Sequence, residues 1–318
     1  MIDCTDKHAR YFMRLMTQHA LLYTEMITVP ALMHGDTEKL LAYNGAENPL
    51  ALQLGGSDPV GLAQCARLAE ARGYDEVNLN VGCPSERVQS GAFGACLMAV
   101  PSLVAECVAA MKEAVNIPVT VKHRMGIDDA DSYEELCQFV DVVAGSGCET
   151  FIVHARKAWL SGLSPKQNRE IPPLQYADVY QLKKDFPHLS IIINGGIKLL
   201  SETVEHLQHV DGVMLGREPY HNPYMLSQVD EILFNEASNA LKPHDILKSY
   251  LPYMEDQLAQ GVRLHQMTRH VMGLFHGMPN ARLWRRKLSE EVRNRQTDIS
   301  LVKEAADLVP CMPSLRRL

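Results

Sequence analysis

Seven short runs rich in apolar and β-branched residues punctuate the first two thirds of this chain, and helix-patterned segments separate most of them. The runs are Leu21–Met26, Leu50–Leu54, Val77–Val81, Val119–Lys122, Phe151–His154, Ile191–Asn194 and Gly212–Leu215. Between them lie Pro59–Arg72, Ser102–Ala114, Ser132–Ala144, Tyr176–Asp185 and Ser201–Leu207. Ser57/Asp58, Ser132 and Ser201 stand where N-caps belong, and Gly73 where a helix ends. A strand followed by a helix brings the next strand back parallel to the first. Seven or eight such units over this length predict an α/β protein built as a (β/α)8 TIM barrel. A doubly wound open sheet is the alternative.

The ends of these runs carry the second signal. Leu52 is followed by Gln53, Leu79 by Asn80, Val121 by Lys122, Val153 by His154, Ile193 by Asn194, and Leu215-Gly216 by Arg217. A single polar residue there is ordinary fraying into solvent. Six at corresponding positions converge on one mouth of a barrel, at the C-terminal ends of its strands. Amides, a lysine, a histidine and an arginine suit a planar, hydrogen-bonding anion better than a metal. Asn194-Gly195-Gly196 and Gly216-Arg217 follow the last two runs, where barrels commonly hold a phosphate on backbone amides. No Gly-x-Gly-x-x-Gly follows a strand, so a Rossmann-bound dinucleotide is not indicated.

Asn78-Leu79-Asn80-Val81-Gly82-Cys83-Pro84 presents a thiol where a strand gives way to a loop. Pro84 biases Cys83 towards extended backbone, and Gly82 permits a sharp turn or a close approach. A buried structural cysteine is the commonest fate of a free thiol, but the strand-end pattern around it favours an active group. The chain has 8 cysteines, and none forms a Cys-x-x-Cys pair. With no His-Glu-x-x-His either, a metal site has no support, and the usage suits a reducing, cytoplasmic setting. No apolar run reaches membrane-spanning length, and the polar N-terminus is no signal peptide.

From about residue 243 the alternation stops. Leu247, Tyr250, Leu251, Met254 and Leu258 recur at helical spacing, as do Met267, Val271, Leu274 and Phe275 before Gly277-Met278-Pro279. The expected organisation is a barrel over residues 1–240 and a helical domain over 241–318. The formal net charge is −7, yet residues 242–318 hold 13 Lys+Arg against 8 Asp+Glu. The basic share concentrates in Arg282-Leu-Trp284-Arg285-Arg286-Lys287. Charge runs are usually solvated helix faces; beside a deep anion site this one also reads as a phosphate-binding patch.

Over nearly its whole length the chain resembles the tRNA-dihydrouridine synthases, the A subfamily above all. The resemblance is carried by Ala51-Leu-Gln-Leu-Gly-Gly-Ser57, Asn78–Pro84, Val119-Thr-Val-Lys122, Ile152-Val-His-Ala-Arg156, Ile193-Asn-Gly-Gly196 and Gly212-Val-Met-Leu-Gly-Arg217. Lys157–Lys166, Asn168–Pro173, Phe275–Pro279 and Trp284-Arg285-Arg286 are particularly like the A subfamily. The resemblance implies an oxidoreductase that binds FMN and reduces the C5=C6 bond of D-loop uridines 20 and 20a, with NADPH as reductant. It implies Cys83 as general acid. It implies Met1, Ile2, Gln53, Lys122, His154, Asn194, Gly195, Gly196, Gly216 and Arg217 as the FMN cradle. Asn80, Lys166, Arg169, Arg282 and Arg285 become tRNA contacts. Neither a membrane nor an obligate protein partner is implied.

Proton delivery to C5 suits a thiol, which in its ordinary state is mostly protonated at neutral pH. Lysine and histidine beside a flavin ring can stabilise its negative charge. Reaching a base out of its stack calls for an RNA-holding domain beside a deep site. Rival readings are an FMN barrel reductase of a free pyrimidine or other small molecule, and a non-catalytic RNA-binding relative.

Family members open on a strand ending Ala-Pro-Met, whereas this chain opens at Met1-Ile2-Asp3-Cys4-Thr5-Asp6. Met1 is therefore read as an internal methionine of a longer protein. The expectation is a helix over residues 5–17 capped by Thr5, and a gap between the Leu21–Met26 and Gly212–Leu215 strands.

Overall fold

The computed structural model describes residues 1–237, 241–292 and 298–311. Seven strands form one parallel sheet in sequence order: β1 (Leu22–Thr28), β2 (Leu50–Gly55), β3 (Glu76–Val81), β4 (Val119–Arg124), β5 (Thr150–His154), β6 (Ser190–Asn194) and β7 (Gly212–Met214). Numbered along the chain, the helices of seven or more residues are α1 (Lys7–Arg14), α2 (Pro59–Ala71), α3 (Pro101–Ala114), α4 (Tyr133–Ala144), α5 (Tyr176–Asp185), α6 (Leu200–His206), α7 (Pro243–Ala259), α8 (Leu264–Val271), α9 (Ala281–Glu291) and α10 (Ile299–Asp307). By internal contacts these residues fall into two compact units. The sheet unit comprises Met1, Leu21–Tyr43 and Asn48–Gly216; the helical unit comprises Ile2–Ala20, Asn44–Glu47 and the chain from Arg217. The expected partition at residue 240, a barrel followed by a helical RNA-holding domain, stays a proposal.

The sheet unit is a TIM-barrel-like α/β fold with seven strands. All seven expected runs are strands, with ends within two residues of those read from the pattern. Every residue of β2 is buried, as parallel strands covered on both faces require. β1 and β7 lie at the two ends of the strand order, and among the described residues no strand pairs with both. That is the expected gap. The register sets the strand ends side by side: Asn80 opposite Lys122, and His154 opposite Asn194.

The helix starts at Asp58 and Ser132 were read correctly. Asp58 accepts from the Val60 and Gly61 amides, and Ser132 and Glu135 exchange bonds at the start of α4. Gly73, at φ +82°, follows the end of α2. Ser201 does not cap: it lies inside α6, and the Glu202 carboxylate instead accepts from the Lys198 and Leu199 amides at 2.7 and 2.9 Å. Thr5 is likewise displaced, because Asp6 Oδ1 accepts from the His8 and Ala9 amides and starts α1 two residues later than expected. A carboxylate is the stronger acceptor at a helix N-terminus.

In the helical unit α7 buries Ile246, Leu247, Tyr250 and Met254. α8 ends at Val271 rather than running to Phe275. Beyond it the backbone at Gly273 passes so close to His221 that a Cβ would stand 2.3 Å from its carbonyl oxygen. Phe275 and Trp284 are both fully buried, edge to face at 4.9 Å, and the indole donates to the Val271 carbonyl at 3.3 Å. The tryptophan of the basic segment is therefore a core anchor.

Candidate active site

Cys83 sits where β3 gives way to a turn, and side chains of its own strand shape that turn. Asn80 Oδ1 accepts the amides of Gly82 and Cys83 at 3.1 and 3.0 Å. The Cys83 carbonyl accepts from Ala95 at 2.9 Å. It also packs against Gly94, at φ +77°, where a Cβ would stand only 2.6 Å from that oxygen. Glycine is thus required at 94 rather than at 82, where φ is not left-handed and a Cβ would meet nothing nearer than 3.4 Å. Cys83 is half-buried with Sγ 3.5 Å from Ser85 Oγ, whereas Cys65, Cys107 and Cys148 are buried.

Cations gather beside this thiol. Lys122 Nζ donates to Asn194 Oδ1 at 3.0 Å, and Asn194 Nδ2 donates to the Met214 carbonyl at 2.7 Å. Burial and then the neighbouring Arg124 push the Lys122 ammonium down to about 7. The buried Arg124 guanidinium donates to three backbone carbonyls: Gly82 at 3.1 Å, Lys157 at 3.1 Å and Asn168 at 2.8 Å. Burial lowers it to about 10. His154 is held well below its ordinary value by burial, then by Arg124, Lys122, Arg156 and Arg169, so it is neutral at pH 7. Gln53 is buried and donates to Asn78 Oδ1 at 2.9 Å.

The glycine turns behave differently from one another. Gly195 (φ +117°) and Gly196 (φ +75°) lie in the left-handed region, and a Cβ at 195 would strike His154 at 2.6 Å. Tyr176 donates to the Gly195 carbonyl at 2.6 Å. At Gly216 a Cβ would meet only Met1 Sδ, at 3.8 Å. Ile2 is 61% exposed, and Arg217 precedes a short helix, Glu218–His221; both belong to the helical unit.

The segment after β5 is pinned from beneath. Buried Asn168 accepts from the Trp159 amide and donates to the Trp159 and Leu163 carbonyls. Arg156 donates to the Pro172 carbonyl. Lys166 and Arg169 point outward from this segment and are exposed. A cavity of about 540 Å³ lies between Pro84, Glu86 and residues 160–165, next to the Cys83 turn. Arg282 and Arg285 are exposed on α9, while Lys287 pairs with Glu291 and Glu304.

Sequence reading missed Arg124 and Asn168. Arg124 lies two residues beyond Lys122 and so on the same face of β4, a signal that was available. Asn168 had none, because its partners are backbone carbonyls of a folded loop. Among the described residues no cluster of three or more His, Cys, Asp or Glu could hold a metal, and no helix is long and apolar enough to cross a membrane.

A parallel sheet whose strand ends gather lysine, arginine, neutral histidine and asparagine around a presented thiol defines an α/β protein with a cationic site. Comparison with known proteins gives the class its family. The family described as dihydrouridine synthase (Dus) matches residues 1–309. The tRNA-dihydrouridine(20/20a) synthase of Vibrio vulnificus (strain CMCP6) is 61% identical over 311 residues, 98% of this chain and 95% of the relative. Its namesake in Escherichia coli (strain K12) is 60% identical over 310 residues, 97% of this chain and 90% of the relative. That of Salmonella typhimurium (strain LT2) is 59% identical over 310 residues, 97% of this chain and 93% of the relative. The chain belongs to the dihydrouridine synthase family.

Proposed function

We propose that this protein reduces the C5=C6 bond of uridine to dihydrouridine in the tRNA D-loop, at positions 20 and 20a, using FMN and NADPH. The observation that carries the reading is the Cys83 thiol on a turn hydrogen-bonded to Asn80, within electrostatic reach of Lys122 and Arg124. The donor set fits an anionic, carbonyl-bearing cofactor. The charges acting most strongly on His154 are all positive, Lys122 carries an ammonium that burial disfavours, and the backbone at Gly216 is open. An anion brought into such a cluster offsets the electrostatic cost of gathering these cations in a buried place.

In this reading Lys122, Asn194, Gly195, Gly196 and Gly216 bind the flavin. Gln53 and neutral His154 orient it with N–H groups. Ile2 and Arg217 keep their cradle assignment, and Met1 its neighbouring one, from the family resemblance. Held by these residues, FMN reduced by NADPH would supply the hydride chemistry at uracil C6. Cys83 delivers a proton to C5, and the Asn80 bonds to the Gly82 and Cys83 amides hold the thiol in place for it. Arg124 ties the Cys83 turn to the segment carrying Lys166 and Arg169, which with Arg282 and Arg285 would contact tRNA phosphates.

The test uses purified protein, FMN, NADPH and an unmodified tRNA transcript. The expected result is a yellow protein that adds two mass units to each reduced uridine at 20 and 20a. A protein that reduces free uracil but not tRNA, or retains tRNA without binding flavin, overturns the reading in favour of a small-molecule reductase or a non-catalytic RNA binder.

A further inference from the structure

Six polar side chains inside the sheet form one continuous hydrogen-bonded chain that ends at the Cys83 turn. At one end the Gly82 and Cys83 amides donate to Asn80 Oδ1 at 3.1 and 3.0 Å. Asn80 Nδ2 donates to Gln53 Oε1 at 2.9 Å, and Gln53 Nε2 donates to Asn78 Oδ1 at 2.9 Å. Asn78 Nδ2 donates to Thr120 Oγ1 at 2.8 Å, and the Thr120 hydroxyl donates to Glu76 Oε1 at 2.7 Å. Tyr23 donates to the same carboxyl oxygen at 2.5 Å. Glu76, Asn78 and Thr120 are 9%, 0% and 1% exposed.

The direction of this chain is set by chemistry. Backbone N–H groups can only donate, so Asn80 must turn its oxygen to them. Its NH2 is then left to donate, which turns the Gln53 oxygen towards it, and the same logic passes to Asn78. Glu76 at the far end accepts twice through one oxygen. Each amide has two N–H donors and one carbonyl oxygen. Gln53 and Asn80 thus have their carbonyls committed and one N–H each uncommitted.

Resting on the functional reading above, we infer that Glu76 and Thr120 are positioning residues that act through Asn78 to polarise Gln53 and Asn80, so that both present only N–H donors to bound ring carbonyls. A pyrimidine and a flavin ring both carry carbonyl oxygens on which negative charge accumulates during reduction. A site that offers only donors there is matched to that charge. A flipped amide would set its oxygen against a carbonyl instead. Neither Thr120 nor Glu76 need touch a ligand to exert this, because each hydrogen bond in the chain polarises the next one.

Thr120→Val keeps the shape and breaks the chain; Thr120→Ser keeps the hydroxyl. The experiment reads the carbonyl stretching frequencies of bound FMN and the kcat and KM for tRNA. Thr120→Val is expected to move the flavin carbonyl bands to higher frequency and to lower kcat about tenfold or more with KM for tRNA within about twofold. Thr120→Ser is expected to restore both. Should Thr120→Val not fold, Glu76→Leu removes the acceptor and Glu76→Gln keeps it, with the same two outcomes expected. Unmoved bands in the chain-breaking variants, or Thr120→Ser as impaired as Thr120→Val, overturn the inference. Wild-type protein that binds no FMN would instead defeat the functional reading, so the two failures are distinguishable.

Discussion

Lys122 Nζ lies 3.0 Å from Asn194 Oδ1, a bond from β4 to β6 that skips the strand between them. Both side chains therefore turn to the same face, where His154 of β5 also stands at the register position of Asn194. The amide gives the ammonium one neutral partner. It does not neutralise the charge, so the site stores a cation whose protonated form burial disfavours.

Lys122→Met is expected to raise the melting temperature of the flavin-free protein and to weaken FMN binding. The sign follows from the lowered pKa. Unfolded Lys122 titrates near 10.5 and folded Lys122 near 7, so between these values the unfolded chain binds the extra proton. The burden is fully present below about pH 7 and is relieved as pH rises towards 10.5. FMN, which selects the ammonium, is expected to bind up to about tenfold more weakly per pH unit above 7. Fluorescence titration of FMN from pH 6.5 to 9 measures this. A wild-type affinity that rises over the range contradicts it.

Cys83→Ala is expected to leave reduction of flavin by NADPH intact and to slow dihydrouridine formation by about 10²–10⁴-fold, the usual cost of a positioned acid. Anaerobic single-turnover mixing of pre-reduced enzyme with tRNA isolates the step. Equal turnover by the alanine variant would remove Cys83 from the mechanism.

Arg282→Glu combined with Arg285→Glu should weaken tRNA binding and flatten its dependence on salt, since each lost phosphate contact releases fewer counterions. Flavin content should stay the same. Filter binding from 50 to 300 mM salt, on the order of the range where such contacts show, gives the slope. An unaltered affinity at low salt returns these arginines to an ordinary solvated helix face.

Trp284→Ala, two residues from one arginine and beside the other, should act by a different route. Its indole is fully buried against Phe275, and truncation of such a side chain costs about 3–5 kcal/mol. Denaturant unfolding is expected to show that loss. At temperatures where the variant remains folded, the salt dependence of tRNA binding should match the wild type. A changed slope would mean that Trp284 meets RNA.

How much was legible in the sequence depended on whether the signal was local. Strand positions and the sequential parallel order followed from apolar periodicity, because a strand buried on both faces shows itself as an uninterrupted apolar run, whereas the gap between β1 and β7 followed from the family resemblance. The polar residues ending those runs located the mouth for the same reason. Caps were legible only in part. Asp58 and Ser132 were found, but Asp6 and Glu202 displaced Thr5 and Ser201, since several nearby oxygens compete for the same few amides and geometry selects among them.

Tertiary structure alone decided what each polar group is used for. Asn80, readable as an RNA contact, spends its oxygen on the Cys83 turn. Gly94, not Gly82, is the glycine that turn requires. Arg124 binds three carbonyls from two separate segments, and Trp284 leaves its basic neighbours for the core. Periodicity records which side of an element is apolar, and the sequence determined that much by itself. A hydrogen bond between residues tens of positions apart exists only once the backbone has brought donor and acceptor within about 3 Å, so partners, and the charge state that Lys122 takes from them, are properties of the folded chain.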